Sequence, residues 1–407
     1  MEKPPKDQPN ASQIIKDIGI GYIANGFVGW VFAATAPLAI ILSIGSQSGL
    51  SDAELSSWIF GVFFINGLIT ILFCTVYRQP LSFFWTIPGT VLIGPALTHL
   101  SYGEVIGAYY ATGILIIALG LSGRVKQAMQ AIPMPIVMGM VAGVFMRFGQ
   151  DLLRSLHEDF IIAGPMAVTW ILLGAMPKLG RRMPPLIGAL LVGIFTILVS
   201  GRLDVSVLGP VTLTSPVIQM PEWSWSALAE LVVPLAITVL AVQNGQGIAV
   251  LQSAGHKPPV NALTIACGVG SLFSAVVGAV STCLTGPTNA ILTSSGEVKR
   301  QYTAGIVTGL LAMIFGLFSP TLIELMLNLP QTFIVTIAGL AMLRILQSAF
   351  VTCFSGRFSL GALIAFLVTT VDLNLLNIGA AFWGLVAGFS VSWVLERSDF
   401  RLAASTS

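Results

Sequence analysis

The sequence predicts an all-α polytopic membrane protein with fourteen transmembrane segments in two inverted repeats of seven. Its composition, its charge distribution and an internal repeat point to this fold. Only 9% of the 407 residues are charged and 55% are hydrophobic. Soluble domains carry about 25% charged residues, so this chain cannot cover the surface of a soluble enzyme. A net charge of +2 without a basic stripe also excludes a nucleic-acid-binding protein.

Apolar stretches fill nearly the whole chain from Ile18 to Leu395. A helix needs about 20 apolar residues to cross a bilayer, and Gly, Pro and charged clusters separate the candidate segments. The predicted segments are 20–45, 55–77, 82–98, 105–122, 131–149, 160–176, 184–200, 226–247, 259–279, 282–295, 302–319, 329–349, 358–371 and 378–396. Residues 1–19 are polar and lack the apolar core of a signal peptide, so they are predicted to form an exposed tail.

The positions of the basic residues test this segment count, because cytoplasmic loops carry the excess of Lys and Arg. With the N-terminus inside, only Arg147, Arg154 and Arg202 fall on the outer side. The other 16 of the 19 basic residues fall on the cytoplasmic side. Residues 1–19 and 397–407 are therefore predicted to be cytoplasmic tails, and 201–225 an extracytoplasmic loop, in a bacterial-type inner membrane.

The second half of the chain repeats the first. Residues 112–115, TGIL, recur as TGLL at 308–311, an offset of 196. The string AGVFMRFGQ, which contains Arg147, recurs as AGLAMLRILQ, which contains Arg344. Ordered matches at a nearly constant offset indicate a duplication. Seven segments are an odd number, so the second copy is inverted, as in many secondary transporters.

The third and tenth segments, Leu81–Thr98 and Ser281–Gly296, are both short and interrupted by Gly and Pro. Such a pair at corresponding positions of the two halves is a pointer to a transporter's binding site. Each begins with residues of extended character and then reaches a proline, Pro88 or Pro287, which is favoured in the first turn of a helix. The pattern predicts a short strand followed by a half-helix in each segment.

A helix N-terminus carries unpaired N–H groups and a partial positive charge of about half an electron. Two such termini near the midplane therefore predict an anion site that needs no buried Arg or Lys. The adjacent aromatic run could contact a flat ring, or face lipid and neighbouring helices instead. The candidates are Thr86, Gly89, Thr90, Thr285, Gly286, Thr288 and Asn289, with Phe83, Phe84 and Trp85 as weaker ones.

Gln243, Asn244 and Gln246 form the most polar cluster inside any predicted segment. Polar residues at this depth normally face the protein interior or a cavity, which favours a substrate site. The alternative is hydrogen bonding between helices, worth about 0.6 kcal/mol for each residue. Asn25 and Thr35, in the corresponding segment of the first half, are weaker candidates.

Titratable groups are scarce near this predicted site. Glu230, about three turns before Gln243, is the nearest acid in its helix and a weaker candidate. A transported proton could be carried by Glu230, by the carboxyl group of the substrate, or not at all. The three histidines, His99, His157 and His256, are expected at the surface. The four cysteines are far apart in sequence, and no cofactor, metal or catalytic residues are expected.

These segments resemble the benzoate/proton symporter (BenE) family, within the fold group of nucleobase permeases, sulfate permeases and anion exchangers. The resemblance is clearest in YRQPLSFFWTIPGT, Tyr77–Thr90, in QNGQGIAVL and in the turn Thr285–Pro287. It implies a core domain of residues 20–123 and 226–320 that moves like an elevator against a gate domain of 124–200 and 321–396. It also implies a homodimer.

The leading hypothesis is therefore a proton-coupled secondary transporter of a small organic anion, benzoate or a similar aromatic carboxylate. Its expected partners are this anion, a proton, the lipid bilayer and a second copy of the chain, with no nucleic acid. Two alternatives remain: a permease for a neutral solute such as a nucleobase, suggested by the amide cluster, and an anion channel using the same helix termini.

Overall fold

The computed structural model describes most of the chain, and the elements below are those of the described residues. These are residues 2, 4–5, 8–34, 36–125, 127, 133–176, 183, 185–202, 210–294, 296–371, 375 and 380–400. The first half contains α1 (Ala11–Asp17), α2 (Ile20–Ala33), α3 (Ala36–Gln47), α4 (Asp52–Tyr77), β1 (Phe83–Trp85), α5 (Ile87–Ala96), α6 (Tyr102–Ser122), α7 (Met134–Glu158), α8 (Phe160–Ala175) and α9 (Pro185–Val199).

The second half again contains a strand between helices. It contains α10 (Trp225–Ser253), α11 (Val260–Val276), β2 (Thr282–Leu284), α12 (Gly286–Leu292), α13 (Tyr302–Leu317), α14 (Ser319–Leu327), α15 (Gln331–Phe354), α16 (Ser359–Val371) and α17 (Ala380–Leu395). Helix α10 includes two π-helical stretches, Leu228–Val232 and Thr238–Asn244, and α4 includes one, Gly61–Ile65.

The described chain is mostly helical, as predicted. Six of its helical stretches are long and apolar enough to cross a membrane: Ile20–Gln47, α4, α6, α7, α10 and α15. Each predicted segment overlaps a helix or a strand followed by a helix. The sequence did not predict α1 or α14, and α7 continues to Glu158, beyond its predicted end at residue 149.

The two interrupted segments meet through β1 and β2, which confirms the short strands predicted there. The strands pair antiparallel, with Phe84 opposite Cys283. Both are fully buried, and backbone polar groups in a membrane interior must be paired within the protein. Because the strands run in opposite directions, α5 and α12 start from opposite ends of this ribbon. Both helices have a proline in the first turn, as predicted.

Glycines allow the helices around the ribbon to cross closely. A Cβ atom at Gly309 of α13 would lie 2.7 Å from the carbonyl oxygen of Gly67 in α4. A Cβ atom at Gly268 of α11 would lie 2.9 Å from the carbonyl oxygen of Gly113 in α6. Small residues of this kind let membrane helices pack backbone against backbone. The two crossings hold α4, α6, α11 and α13 around the strands.

The described part of the predicted 201–225 loop, residues 210–224, contains no helix or strand. It passes over the ends of three helices and forms a backbone hydrogen bond with each of them. Thr214 N donates to Leu317 O at 2.8 Å, Gln219 N to Val276 O at 2.8 Å and Glu222 N to Gly103 O at 2.9 Å. The loop thereby ties α13, α11 and α6 together at one end of the bundle.

Replacing Gly309 by Leu should lower the apparent melting temperature of the purified protein in detergent by several degrees. The new side chain would have to push α4 away from α13, and overpacking of this kind costs about 1–3 kcal/mol. The matched control is Gly174→Leu, because an added Cβ atom at this exposed helical position meets nothing within 4 Å. Equal melting temperatures of the two variants would show that the crossing does not limit stability.

Candidate functional site

A small cavity lies where the ribbon, α10 and the α2–α3 region meet. Phe32, Phe84 and Trp85 form its aromatic wall, and its polar lining residues are Gln243, Thr285 and Thr288. The other lining residues are apolar, so none of the described residues around it carries a charge. The cavity has a volume of about 20 Å³, which is room for about one water molecule. A larger ligand therefore requires movement of the walls.

Two buried polar atoms in residues of this cavity wall have no hydrogen-bond partner among the described residues. They are Gln243 Oε1, on a side chain that is 5% exposed, and Trp85 Nε1, on one that is 1% exposed. Leaving a buried polar group unpaired costs about 1–3 kcal/mol. A ligand that pairs with both atoms recovers this cost, so the cavity is a candidate ligand-binding site.

The neighbouring amides hold the ribbon instead. Asn244 Oδ1 accepts a hydrogen bond from Leu284 N at 2.8 Å. Asn289 Oδ1 accepts one from Ser82 N at 3.0 Å, and its Nδ2 donates to Thr285 O at 2.7 Å. Both side chains thus pair backbone groups at the ends of the strands, which the antiparallel register leaves without partners. Each is at most 1% exposed. Whether either residue also contacts a substrate stays a prediction.

Gln246, the third member of the predicted amide cluster, is exposed. Its side chain lies against α12, because a Cβ atom at Gly286 would be 2.4 Å from Gln246 Cγ. The cluster is therefore divided into an amide in the cavity wall, an amide that supports a strand and an amide on the protein surface. The π-helical stretch Thr238–Asn244 contains the first two, and such stretches are frequent at functional sites.

The N-terminus of α5 is already capped by the protein. Thr86 Oγ1 accepts from Gly89 N at 3.1 Å and donates to Thr238 Oγ1 at 3.0 Å. Thr90 N donates to Thr86 O at 2.8 Å. In α12, Asn289 N is likewise bonded, to Thr285 O at 3.2 Å. The N–H groups of Gly89, Thr90 and Asn289 are therefore used within the first turn of each helix, and contact of these residues with a carboxylate stays a prediction.

The remaining candidates occupy different places. Phe83 is turned away from the cavity and packs against Phe73, with 5.2 Å between ring centroids. Asn25 is half-buried and is not part of the cavity wall. Thr35 lies outside the described residues. Phe32, in contrast, was missed, because one phenylalanine in an apolar segment gives no signal in the sequence.

Glu230 lines a second, larger cavity of about 650 Å³. This cleft is bounded by α3, α5 and α10 on one side and by α7, α16 and α17 on the other. Glu230 is 4% exposed, and its Oε2 lies 2.9 Å from Nε2 of His99, whose side chain is 12% exposed. Across the cleft, Asp151 of α7 pairs with Arg154 at 3.2 Å and with Arg147 at 3.8 Å.

The expectation that the histidines lie at the surface is wrong for His99 and for His256. His256 is 7% exposed and lies 2.8 Å from Gln301 Oε1. It precedes α11, outside the membrane-spanning helices, and burial lowers the pKa of its imidazole despite the hydrogen bond to Gln301, which raises it. Only His157 is exposed. The described residues contain no group of three or more His, Cys, Asp or Glu side chains placed to hold a metal ion.

Two interrupted segments meet on a buried ribbon, and a cavity without charged lining residues lies beside them. The chain has the fold of the transmembrane domain of a cyanobacterium bicarbonate transporter, BicA, with a TM-score of 0.65 and 17% identity over 94% of this chain and 99% of that one. It is also similar to SLC26A9, with a TM-score of 0.61 and 14% identity over 93% of this chain and 65% of that one.

The chain belongs to the benzoate membrane transport protein family (BenE), whose family model matches residues 16–394. It is 30% identical to the inner membrane protein YdcO of Escherichia coli, over 89% of this chain and 93% of that protein. It is 27% identical to the benzoate membrane transport protein of Acinetobacter baylyi, over 91% and 94%. It is therefore a multi-pass membrane transport protein rather than an enzyme.

Asn289→Leu should lower stability by about 1–3 kcal/mol, because it leaves the buried Ser82 N–H without its acceptor. Its apparent melting temperature should fall accordingly. Gln246→Leu is the matched control, since it makes the same change at the exposed amide of the cluster and should stay within about 0.5 kcal/mol of the parent. If both variants melt like the parent protein, Asn289 does not support the ribbon.

Proposed function

We propose that this protein is a secondary transporter of a small organic anion, benzoate or a similar aromatic carboxylate, which binds in the cavity beside the ribbon. The observation that carries this proposal is the combination of an aromatic wall with two unpartnered polar atoms, Gln243 Oε1 and Trp85 Nε1. The relative from Acinetobacter baylyi is named a benzoate membrane transport protein, and BicA is a bicarbonate transporter. Both names concern the transport of carboxylate-like anions.

The proposed site divides its tasks between two kinds of residue. Phe32 and Phe84 contact the ring of the substrate by stacking or edge-to-face packing. Gln243 and Trp85 bind its carboxyl group, with the Thr285 and Thr288 hydroxyls beside them. The closed cavity has to enlarge for this, since its present volume of about 20 Å³ suits one water molecule. Benzoate therefore binds in a more open state.

The opening belongs to a movement of a core domain, residues 20–123 and 226–320, against a gate domain, residues 124–200 and 321–396. All residues of the small cavity lie in the core, so the site would move as a unit. The 650 Å³ cleft, in contrast, is bounded by core helices on one side and gate helices on the other. This arrangement supports an elevator-type mechanism in which the cleft is the route to the site.

The fourteen segments form two inverted repeats in this proposal. The glycine crossings support it, because at each crossing a helix of one half packs against a helix of the other half. Gly67 in the second segment contacts Gly309 in the eleventh, and Gly113 in the fourth contacts Gly268 in the ninth. Cytoplasmic termini in an inner membrane follow from the basic residues, and the relative YdcO is named an inner membrane protein. The proposal of a homodimer is based only on the resemblance to related transporters.

Labelled benzoate should accumulate in proteoliposomes that contain the protein and are preloaded with unlabelled benzoate. Empty liposomes of the same lipid are the control for passive leak of the acid. An inward proton gradient should raise the initial rate above that at equal pH if transport is proton-coupled. Uptake no faster than in empty liposomes, for benzoate and for other aromatic acids, would refute the proposed function.

Gln243→Leu should weaken benzoate binding about tenfold, the equivalent of about 1.4 kcal/mol, because the carboxyl group loses its amide partner. The melting temperature should not fall, since Gln243 Oε1 has no partner within the described protein. Gln252→Leu, an exposed position on the same helix, is the matched control and should bind like the parent. Equal affinities of all three proteins would remove Gln243 from the site.

A neutral solute is the second candidate, because an unpartnered acceptor and an unpartnered donor also suit a nucleobase. The same counterflow assay separates the two candidates. Competition by uracil or xanthine without competition by benzoate would favour the neutral solute.

A further inference from the structure

The small cavity is an unsuitable place for a bare carboxylate. No lining residue carries a charge, and burying an unpaired carboxylate is costly enough to shift its pKa upward by up to about 3–5 units. The helix termini give limited compensation, because Thr86 already caps α5 and α12 has only seven residues. At pH 7 about one molecule in a thousand of an acid with a pKa near 4 is neutral. Burial can therefore reverse the preference for the charged form.

The unpartnered atoms also fit the neutral acid better than the anion. A carboxylate only accepts hydrogen bonds, so it leaves Gln243 Oε1 without a donor. A protonated carboxyl group donates through its hydroxyl and accepts through its carbonyl, which matches Gln243 Oε1 and Trp85 Nε1.

The titratable side chains on the surrounding elements are placed elsewhere. On α2, the hydroxyl of Tyr22 accepts from Glu297 N at 2.9 Å. On α10, Glu230 lines the large cleft beside His99, facing Arg147, Asp151 and Arg154 of α7. The Cys283 thiol lies within β2 and is not part of the cavity wall. None of these groups lines the small cavity, so no titratable side chain there can accept a proton that enters with the substrate.

We propose that the substrate binds and crosses as the neutral carboxylic acid, with its hydroxyl donated to Gln243 and its carbonyl accepting from Trp85. This inference rests on the proposed function. One proton then moves with each substrate molecule and is carried by the substrate itself. The O–H bond forms when the anion takes a proton from hydronium in the water on one side, and it breaks when the released acid gives this proton to water on the other side.

Isothermal titration calorimetry of the purified full-length protein in detergent tests this directly. Benzoate is titrated at pH 7 in two buffers that differ in ionisation enthalpy, and the difference in heat gives the protons taken up for each ligand bound. We expect about one proton with benzoate and none with benzamide, a neutral analogue that has a donor and an acceptor. Benzenesulfonate, which stays anionic across this pH range, should not bind.

The benzoate dissociation constant should also rise about tenfold for each unit of pH between 6 and 8, because the neutral fraction falls tenfold. Benzamide affinity should not change with pH. Proton uptake by Glu230→Gln should remain about one, since the proton sits on the ligand. The conservative variant Trp85→Phe should weaken benzoate and benzamide to a similar degree, because it removes the donor used by both.

Three results would overturn the inference while leaving the proposed function intact. They are benzoate binding without proton uptake, benzenesulfonate binding as tightly as benzoate, and loss of proton uptake in Glu230→Gln with benzoate still bound. Failure of the parent protein to bind either benzoate or benzamide would instead count against the proposed function itself.

Discussion

The backbone pairing between β1 and β2 is the constraint on which the rest of the site depends. A membrane interior offers no water to satisfy N–H and C=O groups, so an interrupted helix is tolerated only where the protein pairs the exposed backbone. Here the two interruptions satisfy each other, with Phe84 opposite Cys283. Asn244 and Asn289 complete the pairing at the strand ends. Without these bonds the chain could not open a cavity at this depth.

This requirement explains why polar residues near the site do not all face it. The ribbon needs amide groups that both donate and accept, and Asn289 does both across β1 and α12. Gln243 is left in the wall of the cavity with an unpaired oxygen. Support of the broken backbone and recognition of a ligand thus use the same residue types in adjacent positions. Gln243 and Asn244 are consecutive residues of the π-helical stretch in α10, and their side chains have different surroundings.

The two cavities differ in their electrostatics. The small one has no charged lining residue, which suits a ligand that has given up its charge or never had one. The large cleft carries an acid–imidazole pair on one side and two arginines with an aspartate on the other. The two arginines there are exposed, whereas Glu230 is buried beside His99. This difference fits the proposal that an anion enters through the cleft and binds in the cavity as the neutral acid.

Much of the architecture was determined by the sequence alone. Apolar length and Gly/Pro interruptions are properties of each segment by itself, because transfer from water to lipid depends on local composition. They predicted the helices, the two short strands and the prolines of α5 and α12. The family resemblance, carried by local motifs such as Tyr77–Thr90, was likewise available from the sequence and was confirmed by the family match.

The tertiary structure decided which candidate residues can reach a ligand. Asn244 and Asn289 bond backbone groups 40 and 207 positions away in the chain, and no local pattern reveals such partners. Glu230 and His99 are 131 positions apart, so their pairing was equally hidden. The sequence predicted polar groups inside apolar segments, because composition is local. Only the packing of distant segments determined which of these groups the backbone uses and which the cavity receives.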